Sequence, residues 1–286
     1  MRVQLYPEQN DTGNNRGPAV GMFALQQALR EQAPDWFTIS DGPFDTDTVP
    51  WFWEHEYASV AVQCHKLKRP FIVGPNILFA DSRNPRKHEH ERVICDSPYC
   101  RLILTDGVGW YRNLILKHVG PESTAAVVAI PYPVTIEPVD HLASQINDAL
   151  IYVKSGVDAS TLAALHRAFP SNVTLHYGTF RRDNLLYWAN KSDYCIYLSD
   201  DDRMPIAASE ILCTGCPLIG IERGCPQVCL PQPFGTRIPA LTVEDCHRAI
   251  MRGFAFDRYD TIQAARKFFD PTRIAAEVLA ALDRVR

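Results

Sequence analysis

Short apolar runs alternate along the whole chain with segments whose apolar residues recur at helical spacing. The runs predict strands at 2–6, 36–39, 58–63, 69–73, 101–105, 125–130, 149–153, 173–177, 194–198 and 217–221. The helical spacing predicts helices at 20–29, 114–118, 162–169, 184–191, 206–213, 241–254, 259–269 and 271–286. Strands that alternate with helices in this way are typical of α/β proteins with parallel sheets.

The length of 286 residues predicts about two domains, since one domain averages roughly 150 residues. The segment 135–145 is polar and contains a proline, as linkers between domains often do. We therefore expect one domain at 1–138 and a second at 139–286.

One stretch, 193–219, combines a strand, a polar turn with three consecutive acids, a short helix and a further strand. Open parallel sheets bind ligands at the carboxyl ends of their strands. The helix that follows the turn offers free N–H groups, which suit a phosphate. A carboxylate farther along, such as Glu210, can accept hydrogen bonds from both hydroxyls of a ribose.

The spacing of this stretch, Ser199-x2-Asp202-x7-Glu210-x4-Gly215-x-Pro217-Leu-Ile, resembles the acid-x7-acid signature of retaining GT-B glycosyltransferases, with a C-terminal domain like that of glycogen synthase and family 4. The first acid is Asp where that family usually has Glu. The resemblance implies two Rossmann-like domains facing a central cleft: an N-terminal domain for the acceptor and a C-terminal domain for the nucleotide sugar. It also implies a last helix that packs back on the first domain.

Carried over by position, the resemblance gives roles to residues of the second domain. Asp202 would contact the transferred sugar and Glu210 the donor ribose, while Lys154 would neutralise the diphosphate. The turn at Thr179, Phe180 and Arg181 would border the nucleobase, and Arg182 is expected at the surface. The residues in place of the family's glycine-rich segment, which would lie at the diphosphate, are Arg203, Met204, Pro205 and Ile206.

Two candidates lie in the first domain. Arg16, in the Gly/Asn-rich loop 13–17, could meet a phosphate or an acceptor group, although a plain tight turn explains the loop equally well. His65 follows the strand predicted at 58–63, where GT-B enzymes present a polar group to the sugar. It would serve as the base if the enzyme inverted the anomeric centre. A histidine bonded to the backbone is the alternative.

The resemblance implies no cofactor and no metal, a UDP- or GDP-sugar as donor, and a hydroxyl on a glycan, a lipid-linked sugar or a modified nucleobase as acceptor. Three other interpretations stay open. An epimerase of the same fold would use the same donor, and a nucleic-acid-directed α/β protein would use the basic segment described below. A zinc site would use the cysteines whose spacing permits it, Cys213, Cys216, Cys225 and Cys229.

Charge is unevenly distributed: residues 1–60 carry three basic and nine acidic side chains, whereas 61–120 carry ten and five. The basic segments 65–69 and 83–92 are either solvated surface or a surface for an anionic acceptor. A net charge of −4 argues against non-specific nucleic-acid binding. The polar N-terminus and the lack of long apolar runs predict a cytoplasmic protein.

Two tryptophans, Trp51 and Trp53, lie in a segment, 41–57, that its composition predicts to be a loop. They are expected either to fill the core or to form a stacking platform for the acceptor.

Overall fold

The computed structural model describes residues 2–6, 17–39, 45–54, 58–76, 85–106, 109–136, 146–200, 202, 206–221, 235–251 and 257–285. The chain divides into two compact units. One contains the first strand, Pro18–Pro133 and Pro271–Arg286, and the other contains Val134–Asp270. Each unit has its own sheet, in which all described strand pairs are parallel.

The first unit is built on a six-stranded sheet in the order β2-β1-β3-β4-β5-β6. Its elements are β1 (Arg2–Tyr6), α1 (Gly17–Gln32), β2 (Phe37–Ile39), β3 (Thr48–Glu54), α2 (Ala58–Lys66), β4 (Phe71–Asn76), α3 (Pro85–Asp96), β5 (Cys100–Asp106), α4 (Gly109–His118) and β6 (Ala126–Ile130). The last helix of the chain, Pro271–Arg284, packs against β6.

The second unit is built on a five-stranded sheet in the order β11-β10-β9-β7-β8. Its elements are β7 (Asn147–Val153), α5 (Ala159–Ala168), β8 (Asn172–His176), α6 (Arg182–Asn190), β9 (Ser192–Leu198), α7 (Ile206–Cys213), β10 (Leu218–Gly220), β11 (Gly235–Arg237), α8 (Val243–Met251) and α9 (Arg258–Phe268). Helices α6, α7 and α9 contact one another, and α5 contacts α8. The strands and helices predicted for this unit are confirmed, and β11 was missed.

The loop predicted at 41–57 is wrong over its second half, where β3 lies inside the sheet between β1 and β4. Trp51 and Trp53 have no exposed surface. The indole of Trp51 donates a hydrogen bond of 2.7 Å to the carbonyl of Gly74. Core filling is therefore confirmed for both residues, and the stacking platform is wrong because neither ring reaches the surface.

The strand predicted at 58–63 is also wrong, because these residues form the first part of α2. The buried residues of this helix are Ala58, Ala61 and Cys64. Their three-residue spacing places them on one helical face. They join the aromatic and aliphatic side chains of β3, β4 and β5 in one buried cluster.

Among the residues that the structure describes, no helix is both long enough and apolar enough to span a bilayer.

Candidate functional site

Three neighbouring strands of the second unit, β8, β7 and β9, bring polar residues to the same edge of the sheet. Their carboxyl ends lead into 177–180, 154–156 and 199–202, respectively. Backbone bonds connect these segments: the amide of Lys154 donates to Leu198 (2.8 Å), and that of Tyr177 donates to Val153 (2.8 Å). Ligands of open parallel sheets bind at such an edge.

Asp202 is fully buried and lies against Lys154 at this edge. The Lys154 Nζ atom is 2.5 Å from Asp202 Oδ1, and the Lys154 side chain retains 23% exposure. The hydroxyl of Tyr197 donates a 2.6 Å hydrogen bond to Asp202 Oδ2. The ammonium group also lies 5.4 Å from the centre of the exposed Tyr177 ring. Lys154 is therefore the member of this ion pair that reaches solvent.

Three aromatic rings pack beside the Lys154–Asp202 ion pair. Tyr152 and Tyr197 are direct neighbours on β7 and β9, and their rings stack at 4.9 Å. Phe180 meets the Tyr152 ring edge-on at 5.8 Å. Burial, with a further contribution from Asp202, raises the pKa of Tyr152 well above its usual value. This packed aromatic layer lies at the ends of β7 and β9, the strands that lead to Lys154 and Asp202.

Glu210 lies on α7 and forms a second, largely buried ion pair. Its Oε1 atom is 2.5 Å from Nε of Arg182, and the side chains are 6% and 20% exposed, respectively. Arg182 also donates a 2.7 Å bond to the carbonyl of Thr135. Burial raises the pKa of Glu210, while the Arg182 guanidinium and its hydrogen bond act in the opposite direction. The expectation that Arg182 is a surface residue is wrong, since it begins α6 and faces α7.

The turn predicted to border the nucleobase lies at the same edge, directly after β8. The hydroxyl of Thr179 donates to the carbonyl of His176 (2.7 Å), which closes the turn. Arg181 is exposed and pairs with Asp183 at 3.2 Å. Ile206 is buried as the first residue of α7. Arg203, Met204, Pro205 and Arg16 lie outside the described residues.

Gly156 allows the loop after β7 to pack beneath Asp200. Its φ is +69°, and a Cβ atom there would overlap the Asp200 carboxylate, which accepts a 2.7 Å bond from the Ser155 hydroxyl. We expect Gly156→Ala to reduce the free energy of unfolding by about 2 kcal/mol, from the strained φ and the lost hydrogen bond. Chemical denaturation measures this loss.

Gly178 provides the matched control, because its φ is +81° and no atom lies within 4 Å of a Cβ added there. Gly178→Ala should therefore cost only the backbone strain, about 1 kcal/mol. Equal losses in the two variants would show that Asp200 does not pack against Gly156.

His65 lies far along α2, not at the carboxyl end of a strand. This helix connects β3 to β4, so its last turn is at the edge of the sheet where the strands begin. The His65 ring is bonded to the Ser97 hydroxyl at 3.0 Å, close to the start of β5. The prediction of a catalytic role placed His65 at the carboxyl end of a strand, and this placement is wrong. Parallel sheets bind ligands at the edge where their strands end, whereas the last turn of α2 lies at the edge where the strands begin.

The cysteine spacing that permits a zinc site falls partly within the core. Cys213 and Cys216 are buried beside Leu212 and Leu218. Burial raises the pKa of both thiols to about 12, which favours the protonated form, whereas zinc binds the thiolate. Cys225 and Cys229 lie outside the described residues.

The basic segments of the first unit are described only in part. In 65–69, Lys66 and Lys68 are exposed, while Arg69 donates a 2.8 Å bond to the carbonyl of Thr48. The side chains of 83–89 lie outside the described residues. An anionic acceptor surface here stays a prediction.

No protein-family model and no curated protein matches the sequence. Solved structures do match it. A sucrose-phosphate synthase from Thermosynechococcus elongatus has a TM-score of 0.63 and 12% identity, covering 99% of this chain and 98% of that one. The lipopolysaccharide outer core galactosyltransferase WaaB has a TM-score of 0.63 and 10% identity, with 99% of each chain covered. A UDP-forming trehalose-phosphate synthase from Burkholderia xenovorans has a TM-score of 0.59 and 13% identity, with 93% and 78% covered.

Identities of this size show the fold alone. The predicted fold class is confirmed: both units are parallel-sheet α/β domains, and the chain has the GT-B fold of these glycosyltransferases over nearly its whole length.

Sequence reasoning missed two residues of the site, Tyr197 and Arg182. A signal for Tyr197 was present, because β7 and β9 end in the similar tripeptides Ile-Tyr-Val and Ile-Tyr-Leu, which pair in register. Arg182 gave no such signal, since 28 positions separate it from Glu210 and only the packing of α6 on α7 joins them.

Proposed function

We propose that the protein is a glycosyltransferase that moves a sugar, with retention at the anomeric carbon, from a UDP- or GDP-sugar to a hydroxyl acceptor. The carboxyl edge of the second sheet is the donor site. The observation that carries the proposal is the convergence of Lys154, Glu210 and the 177–180 turn on the ends of β7, β8 and β9 and the helices after them.

The proposed roles follow from the chemistry of each group. The leaving group is a diphosphate, and the partly exposed ammonium of Lys154 can stabilise its negative charge. The positive end of the α7 helix dipole, at Ile206, would add to this stabilisation. The Glu210 carboxylate, held on one oxygen by Arg182, can accept hydrogen bonds from the ribose hydroxyls.

Support also comes from the proteins that share the fold. Their names describe a galactosyltransferase and two sugar-phosphate synthases, one of them UDP-forming. The acid-x7-acid spacing of Asp202 and Glu210 is the sequence feature that links this chain to nucleotide-sugar enzymes of that fold.

Glu210→Gln tests the donor site. We expect this change to weaken binding of the preferred nucleoside diphosphate, UDP or GDP, by roughly 1–3 kcal/mol, because the ribose loses a charged acceptor. Gln is preferable to Ala, since Ala would leave the guanidinium of Arg182 partly buried with a cavity beside it. Isothermal titration calorimetry measures the change.

Glu244→Gln is the control for this measurement. Glu244 is 82% exposed and pairs with Arg248 at 2.6 Å on α8, so its neutralisation should leave nucleotide affinity unchanged. Wild-type affinity in Glu210→Gln would remove Glu210 from the donor site.

A further inference from the structure

The resemblance assigns Asp202 to the transferred sugar, but the geometry of Asp202 differs from that of a sugar-binding carboxylate. The side chain has no exposed surface. One oxygen is paired with the Lys154 ammonium and the other accepts the Tyr197 hydroxyl. Both oxygens therefore have partners inside the second unit, and a sugar hydroxyl could reach the carboxylate only if the groups that bury it moved aside.

Asp202 holds the ammonium group of Lys154 in place. A lysine has a flexible four-carbon stem, and much rotamer entropy is lost when a ligand fixes it. Here contacts within the protein itself hold the ammonium at 2.5 Å from Asp202 Oδ1 and 5.4 Å from the Tyr177 ring centre. A charge fixed in advance binds a diphosphate more tightly than a mobile one, because less freedom is lost on binding.

Tyr197 holds the other side of the carboxylate. Its ring is fully buried and stacked on Tyr152, so the hydroxyl has a fixed direction toward Asp202. Tyr197, Asp202 and Lys154 thus form a polar chain that runs from the core to the carboxyl edge of the sheet. A buried carboxylate is stable only when such partners satisfy it.

We propose that Asp202 is a positioning residue, which holds the Lys154 ammonium in place for the donor diphosphate and does not contact the transferred sugar. Tyr197 in turn positions Asp202. This inference rests on the proposed donor site, and it changes the role of one residue within that site.

The test compares nucleoside diphosphate with nucleoside monophosphate binding in Asp202→Asn, Lys154→Ala and the double variant. The probes are UDP and UMP, or GDP and GMP, whichever pair the wild-type protein binds. We expect Asp202→Asn to weaken diphosphate binding about tenfold, because the Lys154 ammonium loses its charged partner and must give up more freedom when the diphosphate binds. The double variant should bind as weakly as Lys154→Ala alone, because the two residues act as one unit.

The ratio of diphosphate to monophosphate affinity separates positioning from a general structural effect. Partial unfolding lowers both affinities together, whereas displacement of Lys154 lowers the ratio. Tyr197→Phe keeps the buried ring and removes only the hydroxyl, so it should lower the ratio by a smaller factor, about threefold. This variant also serves if Asp202→Asn does not fold, and an unchanged ratio in Tyr197→Phe would then overturn the proposal.

Asp245→Asn is the matched control, because Asp245 is a paired aspartate of the same unit with 12% exposure, on α8 beyond β11. It should leave the ratio unchanged. Full diphosphate affinity in Asp202→Asn, with loss only of the extra affinity for the sugar nucleotide, would show a direct sugar contact and overturn the proposal. If the wild-type protein binds neither UDP nor GDP, the proposed function itself is wrong.

Discussion

Replacing Lys154 by alanine is expected to weaken the binding of UDP or GDP by about 10- to 100-fold, which corresponds to roughly 1.5–3 kcal/mol for a hydrogen bond to a charged group. Lys154 is the partly exposed cation at the end of β7, and its ammonium already lies at a fixed position beside Asp202. Titration calorimetry at constant salt measures the loss, and binding of the unphosphorylated nucleoside should change little.

The same substitution leaves the buried Asp202 carboxylate without its cation. A buried charge that loses its partner destabilises a protein by on the order of 3 kcal/mol, so the fold of the variant must be verified by its unfolding transition. Lys267→Ala is the control, since Lys267 is exposed on α9. Equal nucleotide affinity in the wild-type protein and Lys154→Ala would show that the diphosphate does not lie at the end of β7.

Trp51→Ala should have the largest effect on stability, with an expected loss of about 3–5 kcal/mol in the free energy of unfolding of the first unit. The ring is fully buried and lies 6.3 Å from the Phe37 ring, so its removal leaves a large cavity. The carbonyl of Gly74 also loses the hydrogen bond that the indole donates. Urea denaturation measures the change.

Leu67→Ala provides the comparison, because Leu67 is 75% exposed and its removal should alter stability by less than about 0.5 kcal/mol. A protein with two compact units can unfold in two transitions, and the substitution should shift the one that belongs to the first unit. A loss below about 1 kcal/mol in Trp51→Ala would contradict the buried position of the ring.

The second unit was predictable from sequence because its strands are continuous apolar runs bounded by turns. The first unit was less predictable from its sequence. Pro50 favoured a loop, since proline cannot donate to a strand ladder and is rare inside sheets. Nevertheless β3 is an interior strand, and its aromatic residues fill the core. Burial of large side chains there outweighs one missing hydrogen bond.

The incorrect prediction of a strand at 58–63, where the structure has α2, has a similar cause. The run 58–62 contains two valines, Val60 and Val62, which favours a strand by local propensity. The side chains that become buried are instead the small ones at helical spacing, Ala58, Ala61 and Cys64, which allow α2 to pack closely on the sheet. Tertiary packing therefore outweighs local propensity, and these residues form a helix. As a result, His65 lies at the edge of the sheet opposite to the predicted one.

The candidate site was partly predictable. The sequence identifies Lys154, Asp202 and Glu210 as polar residues at or after strand ends, because the fold of parallel sheets determines where those ends meet. It does not show that Asp202 turns inward to Lys154 and Tyr197, or that Arg182 reaches Glu210. The Lys154–Asp202 and Arg182–Glu210 contacts depend on side-chain packing between elements that are distant in the chain.

Hydrogen exchange with saturating UDP or GDP tests the location of the donor site most directly. Mass spectrometry of peptides from the wild-type protein reports which backbone amides a bound nucleotide protects. The account predicts slower exchange in the peptides that cover 153–158 and 176–182, at the ends of β7 and β8. A nucleotide that binds but leaves exchange in both segments unchanged would contradict it.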